Sequence, residues 1–424
     1  MPRPPIAGGR VLAVALMVLL AGVACGDPAP SAAGDAAGDG ARDDATARAG
    51  ATTAPPPGSR ATAPPGPGPA PGGSAPAPTS ATPTSITPPS TGAATTAVAA
   101  GPRTDPAFVA TTAAMRRRVA STGGRGYLLV VRDGEVLHEE AFGGVTRSTS
   151  MGVASTAKWM TAALVMTLVD EGRLSLDDEV HRWIPELGDG DEQRITVRQL
   201  LNHTSGIRDK PCLWEVGASM AACVRTLASS PLEFTPGTKF SYGNASYHVA
   251  GYLVGVVLGV DFQTAFRQRI AEPLGFAGTS FGGVANPSPA AGATTTVEDT
   301  AHLLEMMQGE GMFRGRRILS AESAREIQKD QVVGYDTSRD YAVGITRIPT
   351  YGLGTWRDRV DADDRIVVVS GNGARGYYPW IDHEHGAYGV VAVDDQRGAE
   401  VAVPASRLVI DEALAATARV AAGG

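Results

Sequence analysis

Two short patterns in this chain combine residue types that can do acyl-transfer chemistry. The first is Ser155-Thr156-Ala157-Lys158. A serine hydroxyl attacks carbonyls poorly until a base takes its proton, and a lysine amine can be that base once burial lowers its pKa. Ser155 precedes an apolar-periodic stretch, so the pattern predicts it at a helix N-terminus with Lys158 one turn along the same face. The helix dipole there favours developing negative charge. Lysine is rare in the chain: only positions 158, 210, 239 and 329 carry it among 37 basic residues, the rest being Arg. Arg cannot give up its proton in a protein, so a Lys in an Arg-dominated chain marks a place where a titratable base is wanted. The second pattern is Tyr242-Gly243-Asn244, the single Tyr-x-Asn of the sequence. A phenol can relay a proton, and an Asn amide can orient a substrate carbonyl.

The elements that would position these groups follow from hydrophobic periodicity and turn residues. Thr104-Asp105-Pro106 predicts a helix start, with apolar positions through Met115 and Val119. Strands Tyr127–Arg132 and Glu135–Phe142 are joined by Asp133-Gly134, a two-residue hairpin signal. Helical patterns cover Thr156–Glu171, closed by Gly172, then Val197–Leu201 and Tyr247–Leu258. Strand patterns return at Arg365–Ser370 and Ala387–Val393, around a turn at Asp382–His385, and a helix across Ala405–Val420 ends the chain. The expectation is an α+β fold whose antiparallel sheet draws strands from both ends of the domain, with an inserted helical lobe and a cleft between.

Composition limits the alternatives. A formal charge of −7, from 44 acidic and 37 basic residues, gives no footing for a nucleic-acid binder. The 52 Gly and 30 Pro show no three-residue period, which excludes a collagen, and 3 Cys are too few for a disulfide scaffold or a Cys-rich metal module. No cofactor or metal is expected. His383-Glu384-His385 sits in a turn without a third ligand nearby, and Gly278-Thr279-Ser280-Phe281-Gly282 lacks the strand before and the helix after that a nucleophile elbow needs. His203 is expected to hydrogen-bond within the turn Asn202–Gly206.

The chain divides into three parts. Residues 1–24 read as a signal peptide: Arg3 and Arg10 precede a 14-residue apolar run, shorter than the ~20 residues of a membrane-spanning helix. The run ends Gly22-Val23-Ala24-Cys25, similar to a bacterial lipobox in which Cys25 would be lipidated; ordinary cleavage near Ala24 is the alternative. Residues 25–104 read as a disordered tether, where Ala, Pro, Gly, Ser and Thr leave too little apolar surface to offset chain entropy. Residues 105–424 form the folded domain. This organisation predicts an exported protein, lipid-anchored at the outer face of the bacterial cytoplasmic membrane. In that oxidising compartment Cys212 and Cys223 would close a short loop, contributing roughly 2–3 kcal/mol.

From about residue 105 onward the chain resembles the serine β-lactamase and penicillin-binding-protein-like superfamily, in its class C-like, D-alanyl-D-alanine carboxypeptidase and esterase branch. The likeness rests on the Ser155–Lys158 and Tyr242–Asn244 motifs together with Leu168-Val169-Asp170-Glu171-Gly172-Arg173-Leu174-Ser175-Leu176-Asp177-Asp178, Leu200-Leu201-Asn202-His203-Thr204-Ser205-Gly206, Phe234-Thr235-Pro236-Gly237 and Pro273-Leu274-Gly275. It implies a β-lactamase/transpeptidase-like fold, Ser155 as acylated nucleophile, Lys158 with Tyr242 as the base pair, and Asn244 as a substrate-orienting group. The third family motif aligns with Gly371-Asn372-Gly373, where relatives usually carry Lys or His at the first position. That cation holds a substrate carboxylate, so its absence argues for esters over β-lactams or D-Ala-D-Ala termini, unless Arg375 replaces it. The N–H groups of Ser155 and Ala374 are the candidates for an oxyanion hole. Expected partners are a small ester or amide or a peptidoglycan-type substrate; nothing in the sequence speaks to oligomeric state. The competing readings are a D-Ala peptidase or β-lactamase, a non-catalytic binding protein that keeps the fold, and a structural lipoprotein.

Overall fold

The computed structural model describes residues 105–423 apart from 189 and 216. The signal peptide, the tether and Cys25 lie outside the described residues. Asp105 accepts a hydrogen bond from Ala107 N at 2.8 Å and opens a short 3-10 turn, Pro106–Phe108, which runs into helix α1 (Val109–Ala120). Strands β1 (Gly126–Arg132) and β2 (Glu135–Phe142) follow as an antiparallel hairpin. The turn between them puts Asp133 at φ 51° and Gly134 at φ 79°, the left-handed pair that a tight two-residue hairpin requires.

Four further strands complete the sheet: β3 (Trp356–Val360), β4 (Ile366–Ser370), β5 (Tyr378–Asp382) and β6 (Ala387–Ala392). The order is β2-β1-β6-β5-β4-β3 and each neighbouring pair is antiparallel, with β1 joined to β6 through pairs such as Leu129 opposite Val390. The N-terminal hairpin and the C-terminal strands therefore share one sheet. Alternation of side chains along β1 sends Leu128 and Val130 to one face and Leu129 and Val131 to the other, and all four are buried. On the first face they meet Met115 and Val119 of α1 and Val409, Ile410 and Leu414 of the C-terminal helix Ala399–Gly423. On the second face lies the larger cluster of the helical lobe.

Strands β3 and β5 were not anticipated by the alternation pattern. Every residue of β5 is buried, because the sheet is covered on both sides, so polar and apolar positions do not alternate. Tyr378, Trp380 and Asp382 each fit that buried environment with aromatic bulk or hydrogen bonding. The C-terminal helix begins at Ala399, six residues before the expected Ala405, and carries Pro404 inside it. Burial of Ala402 and Val403 against the sheet outweighs the backbone hydrogen bond that proline gives up.

Between β2 and β3 the chain builds the helical lobe, including α2 (Ala157–Asp170), α3 (Val197–Leu201), α4 (Met220–Ala228) and α5 (Ala245–Leu258). Helix α2 is its axis: every side chain from Ala157 to Leu168 is buried, on all sides of the helix. A helix this apolar stands inside a protein. Its one lysine is therefore forced into the core.

Candidate active site

A strained turn presents Ser155. Met151–Gly152 pairs with Thr294–Thr295, Val153 N bonds Ala293 O at 3.1 Å, and Ala154 then takes φ 45°, a left-handed conformation unusual for alanine. The 3-10 turn Ala154–Thr156 feeds directly into α2, so Ser155 occupies the first turn of that helix. The turn is pinned to the sheet. Thr156 Oγ1 donates to Gly371 O, and a Cβ at Gly373 would lie 2.1 Å from Val153 O, which leaves room for glycine alone.

Lys158 lies one turn on, with no exposed surface. Its Nζ stands 3.2 Å from Ser155 Oγ, 3.1 Å from Asn244 Oδ1 and 3.2 Å from Ala290 O. Two of these neighbours can only accept, and the third can also donate. A neutral amine has two N–H groups and one lone pair. Asn244 Oδ1 and Ala290 O satisfy the two donors, and the lone pair is left facing the Ser155 hydroxyl. Burial pulls the Lys158 ammonium down to about 7, against the opposing pull of the Asp209 carboxylate. Near neutral pH the amine is thus available as a base.

Tyr242 covers the other side of this group. Its ring centroid is 4.7 Å from Lys158 Nζ, and it lines the same cavity as Ser155. Burial raises the phenol well above its ordinary range, so Tyr242 stays protonated and can pass a proton on without holding negative charge. The ring is held between Trp356, stacked at 5.3 Å, and His203 at 4.4 Å, while Tyr242 N donates to Asp340 Oδ2 at 2.8 Å. The internal bonds of the Asn202–Gly206 turn come from Asn202 Oδ1, which accepts from Thr204 N and Oγ1. His203, expected to bond inside that turn, instead takes φ 62° and accepts from Gly243 N at 3.5 Å. Burial keeps its imidazole neutral.

Asn244 sits at the start of α5 and is oriented by Asp209, a residue that pattern reasoning passed over. Asp209 has no motif around it and reaches the site only through the loop that follows Gly206. Trp356, Asp340 and the carbonyl of Ala290 were equally invisible, because they come from segments 98 or more residues from the Tyr242 motif or, for Ala290, contribute only backbone.

The segment expected to bind substrate divides in two. Asn372 and Ala374 line a cavity of about 280 Å³ together with Ser155, Tyr242 and Asn244. The Asn372 Nδ2 group is buried and has no protein partner among the described residues, so it is available to a ligand. Gly371 and Gly373 lie behind that wall. A Cβ at Gly371 would meet the Trp159 ring at 2.8 Å, so a side chain there would start inside the core. Arg375 does not substitute for the missing cation: it pairs with Asp394 at 3.3 Å and donates to Gln396 at 2.8 Å. We expect Gly371→Lys to lower the melting temperature by several degrees and to leave β-lactam turnover no higher than in the wild type. A gain in cephalosporin hydrolysis at unchanged stability would show that this position can reach the cavity.

The remaining candidates fall away from the site. Ser280 bridges Thr294 in a short ladder and accepts from Gly282 N at 3.0 Å, with no helix after it. His383 contacts Gln328 at 2.6 Å and His385 contacts Asp382 at 2.8 Å. Cys212 and Cys223 form a disulfide across the entrance to α4.

The profile of the β-lactamase family matches residues 111–414. The chain belongs to the β-lactamase family. Among relatives of this β-lactamase-family protein, esterase EstB of Burkholderia gladioli is 33% identical over 180 residues, 36% of this chain and 46% of that one. Penicillin-binding protein 4 of Amycolatopsis lactamdurans is 36% identical over 162 residues, 35% of this chain and 42% of that one. The match thus spans less than half the length of these two relatives. Among solved structures, a candidate β-lactamase from Bacteroides dorei DSM 17855 superposes with a TM-score of 0.67 at 30% identity, covering 72% of this chain and 98% of that one. A family VIII carboxylesterase shares the fold, with a TM-score of 0.61 at 19% identity over 74% of this chain and 98% of its own. The fold is therefore the β-lactamase/transpeptidase fold, and the relatives include both esterases and penicillin-binding-protein homologues.

Proposed function

We propose that this protein is a serine hydrolase that works through an acyl-enzyme on Ser155 and prefers uncharged esters. The observation that carries the reading is the hydrogen-bond arithmetic at Lys158, whose lone pair faces the nucleophile once its two donors are satisfied. In the reaction, Lys158 takes the Ser155 proton as Oγ attacks the acyl carbon. The oxyanion forms between the N–H groups of Ser155 and Ala374, which line the same cavity. Tyr242 then passes a proton to the leaving group as it takes up the one held on the Lys158 ammonium, so phenol and amine are both restored, and water enters by the same route reversed to release the acid.

The preference for uncharged esters rests on the cavity wall. Ile345, Trp356 and Val403 contribute apolar surface, and among the described residues that line the cavity the one acidic or basic side chain is Asp209. A substrate carboxylate would find no cation there to pair with. The likeness to esterase EstB supports ester hydrolysis. Export and anchoring through Cys25 belong to this proposal too; they rest on the apolar run 11–24 and on the tether that follows it.

The test is hydrolysis of a short p-nitrophenyl acyl ester by the wild type and by Ser155→Ala. The expected result is turnover in the first and background in the second. Equal rates in both would remove Ser155 from the chemistry.

A further inference from the structure

We infer that Asp209 is a positioning residue: its carboxylate locks the Asn244 amide so that the carbonyl end faces Lys158. This rests on the serine-hydrolase reading above. Asp209 Oδ1 accepts from Asn244 N at 2.8 Å and from Ala245 N at 2.7 Å, and Oδ2 accepts from Asn244 Nδ2 at 2.9 Å. An amide has one accepting end and one donating end. With its NH₂ held by Asp209, the Asn244 Oδ1 is left to face Lys158 Nζ at 3.1 Å. A flipped amide would aim N–H groups at the amine, and the lysine would need its lone pair for Asn244 in place of Ser155. The orientation of one side-chain amide thus decides whether the base points at the nucleophile.

The loop that carries Asp209 is anchored for this task. Ile207 N donates to Ser205 Oγ at 3.2 Å on one side. On the other, Cys212 is bonded to Cys223, and Asn286 Nδ2 donates to Cys212 O at 2.8 Å and Glu215 O at 3.1 Å. The close approach is also written into the Tyr-Gly-Asn loop: a Cβ at Gly243 would stand 3.0 Å from Asp209 Oδ1. The carboxylate is exposed at the cavity mouth, so its charge acts on the buried lysine from outside the core.

The groups around Lys158 separate the two effects of this residue. His203 is neutral through burial, and the phenols Tyr242, Tyr247 and Tyr351 are pushed up by burial, so none of them carries charge near neutral pH. The carboxylates brought to bear are Asp209 and, beyond Tyr242, Asp340. Arg208 and Lys210 flank Asp209 along the chain, with Arg208 exposed. Removing the Asp209 charge destabilises the ammonium further and moves the lysine titration to lower pH.

The experiment compares full-length wild type, Asp209→Asn and Asp209→Glu on a p-nitrophenyl ester across pH, with melting curves as the folding control. In Asp209→Asn the new NH₂ opposes Asn244 Nδ2, donor against donor, so kcat should fall about ten- to a hundredfold with KM little changed. Its ascending pH limb should also move to lower pH. In Asp209→Glu the charge stays while the geometry moves, so kcat should fall with the limb near its wild-type position. Wild-type kcat and an unmoved limb in a folded Asp209→Asn would overturn the inference. Should that variant fail to fold, wild-type kcat in Asp209→Glu would overturn it instead. A wild type that does not hydrolyse the ester counts against the hydrolase reading; that failure is told apart because it appears before any substitution at 209.

Discussion

Lys158→Arg should lower kcat by about 10²–10⁴-fold, the range a positioned general base contributes. Arg keeps the positive charge and much of the length but cannot release its proton, so it can hydrogen-bond Ser155 and still not activate it. The wild type should show the matching pH dependence. Lys158 sits near 7, so at lower pH the amine is an ammonium with no lone pair, and at higher pH it is free. The expected kcat/KM therefore rises tenfold per pH unit below about 7 and levels off above it, until other groups titrate. The plateau has physical room to extend, since burial holds the Tyr242 phenol protonated well into the alkaline range. Steady-state rates on an uncharged ester from pH 5 to 9 measure the curve. A flat profile, or near-normal turnover in Lys158→Arg, would take the base role away from the lysine.

An uncharged p-nitrophenyl ester should be turned over with kcat/KM about two orders of magnitude above that of a chromogenic cephalosporin. A carboxylate entering this cavity sheds water and meets the Asp209 carboxylate, while Gly371 supplies no cation from the opposite strand. An unpaired charge in a partly buried site costs several kcal/mol, and each 1.4 kcal/mol is tenfold. Arg375 is the nearest alternative cation in sequence, but Asp394 and Gln396 hold it away. Arg375→Ala should therefore leave the ratio unchanged. A cephalosporin that outperforms the ester, with the advantage lost in Arg375→Ala, would move the protein to the peptidase or lactamase side of its family.

The fold was legible wherever one physical signal dominated. Asp133-Gly134 marks the hairpin because few residue pairs tolerate two consecutive left-handed conformations, and both take them here. The helical pattern at Val197–Leu201 coincides with α3, and the structure supplies the reason for its sharp start: Thr196 caps it and Gln199 completes a capping box. Strands β3 and β5 were missed for opposite reasons. Strand β3 reads Trp-Arg-Asp-Arg-Val, charged in its middle because Arg357 and Asp358 are paired, with Asp330 and with Arg407. Strand β5 is buried throughout and shows no alternation.

In the site, the residues found were those whose side chains do chemistry at short spacing. Ser155 and Lys158 share one helix turn, and Tyr242 and Asn244 share one loop. What escaped were groups that act through placement. Asp209 is one of 44 acidic residues and nothing in its neighbours sets it apart. Trp356 supports Tyr242 from a strand that the pattern did not reveal. Gly371 was grouped with the substrate wall by its motif, and only the direction of its missing Cβ, toward Trp159, separates it from Asn372.

The central claim is that Ser155 is a nucleophile activated by its neighbours, and covalent labelling tests it most directly. Full-length protein treated with a serine-directed fluorophosphonate and digested should carry a single adduct, on the peptide that contains Ser155. The adduct should be absent in Ser155→Ala and should form far more slowly in Lys158→Arg. An adduct on Ser280, or no adduct on a correctly folded protein, would contradict the account.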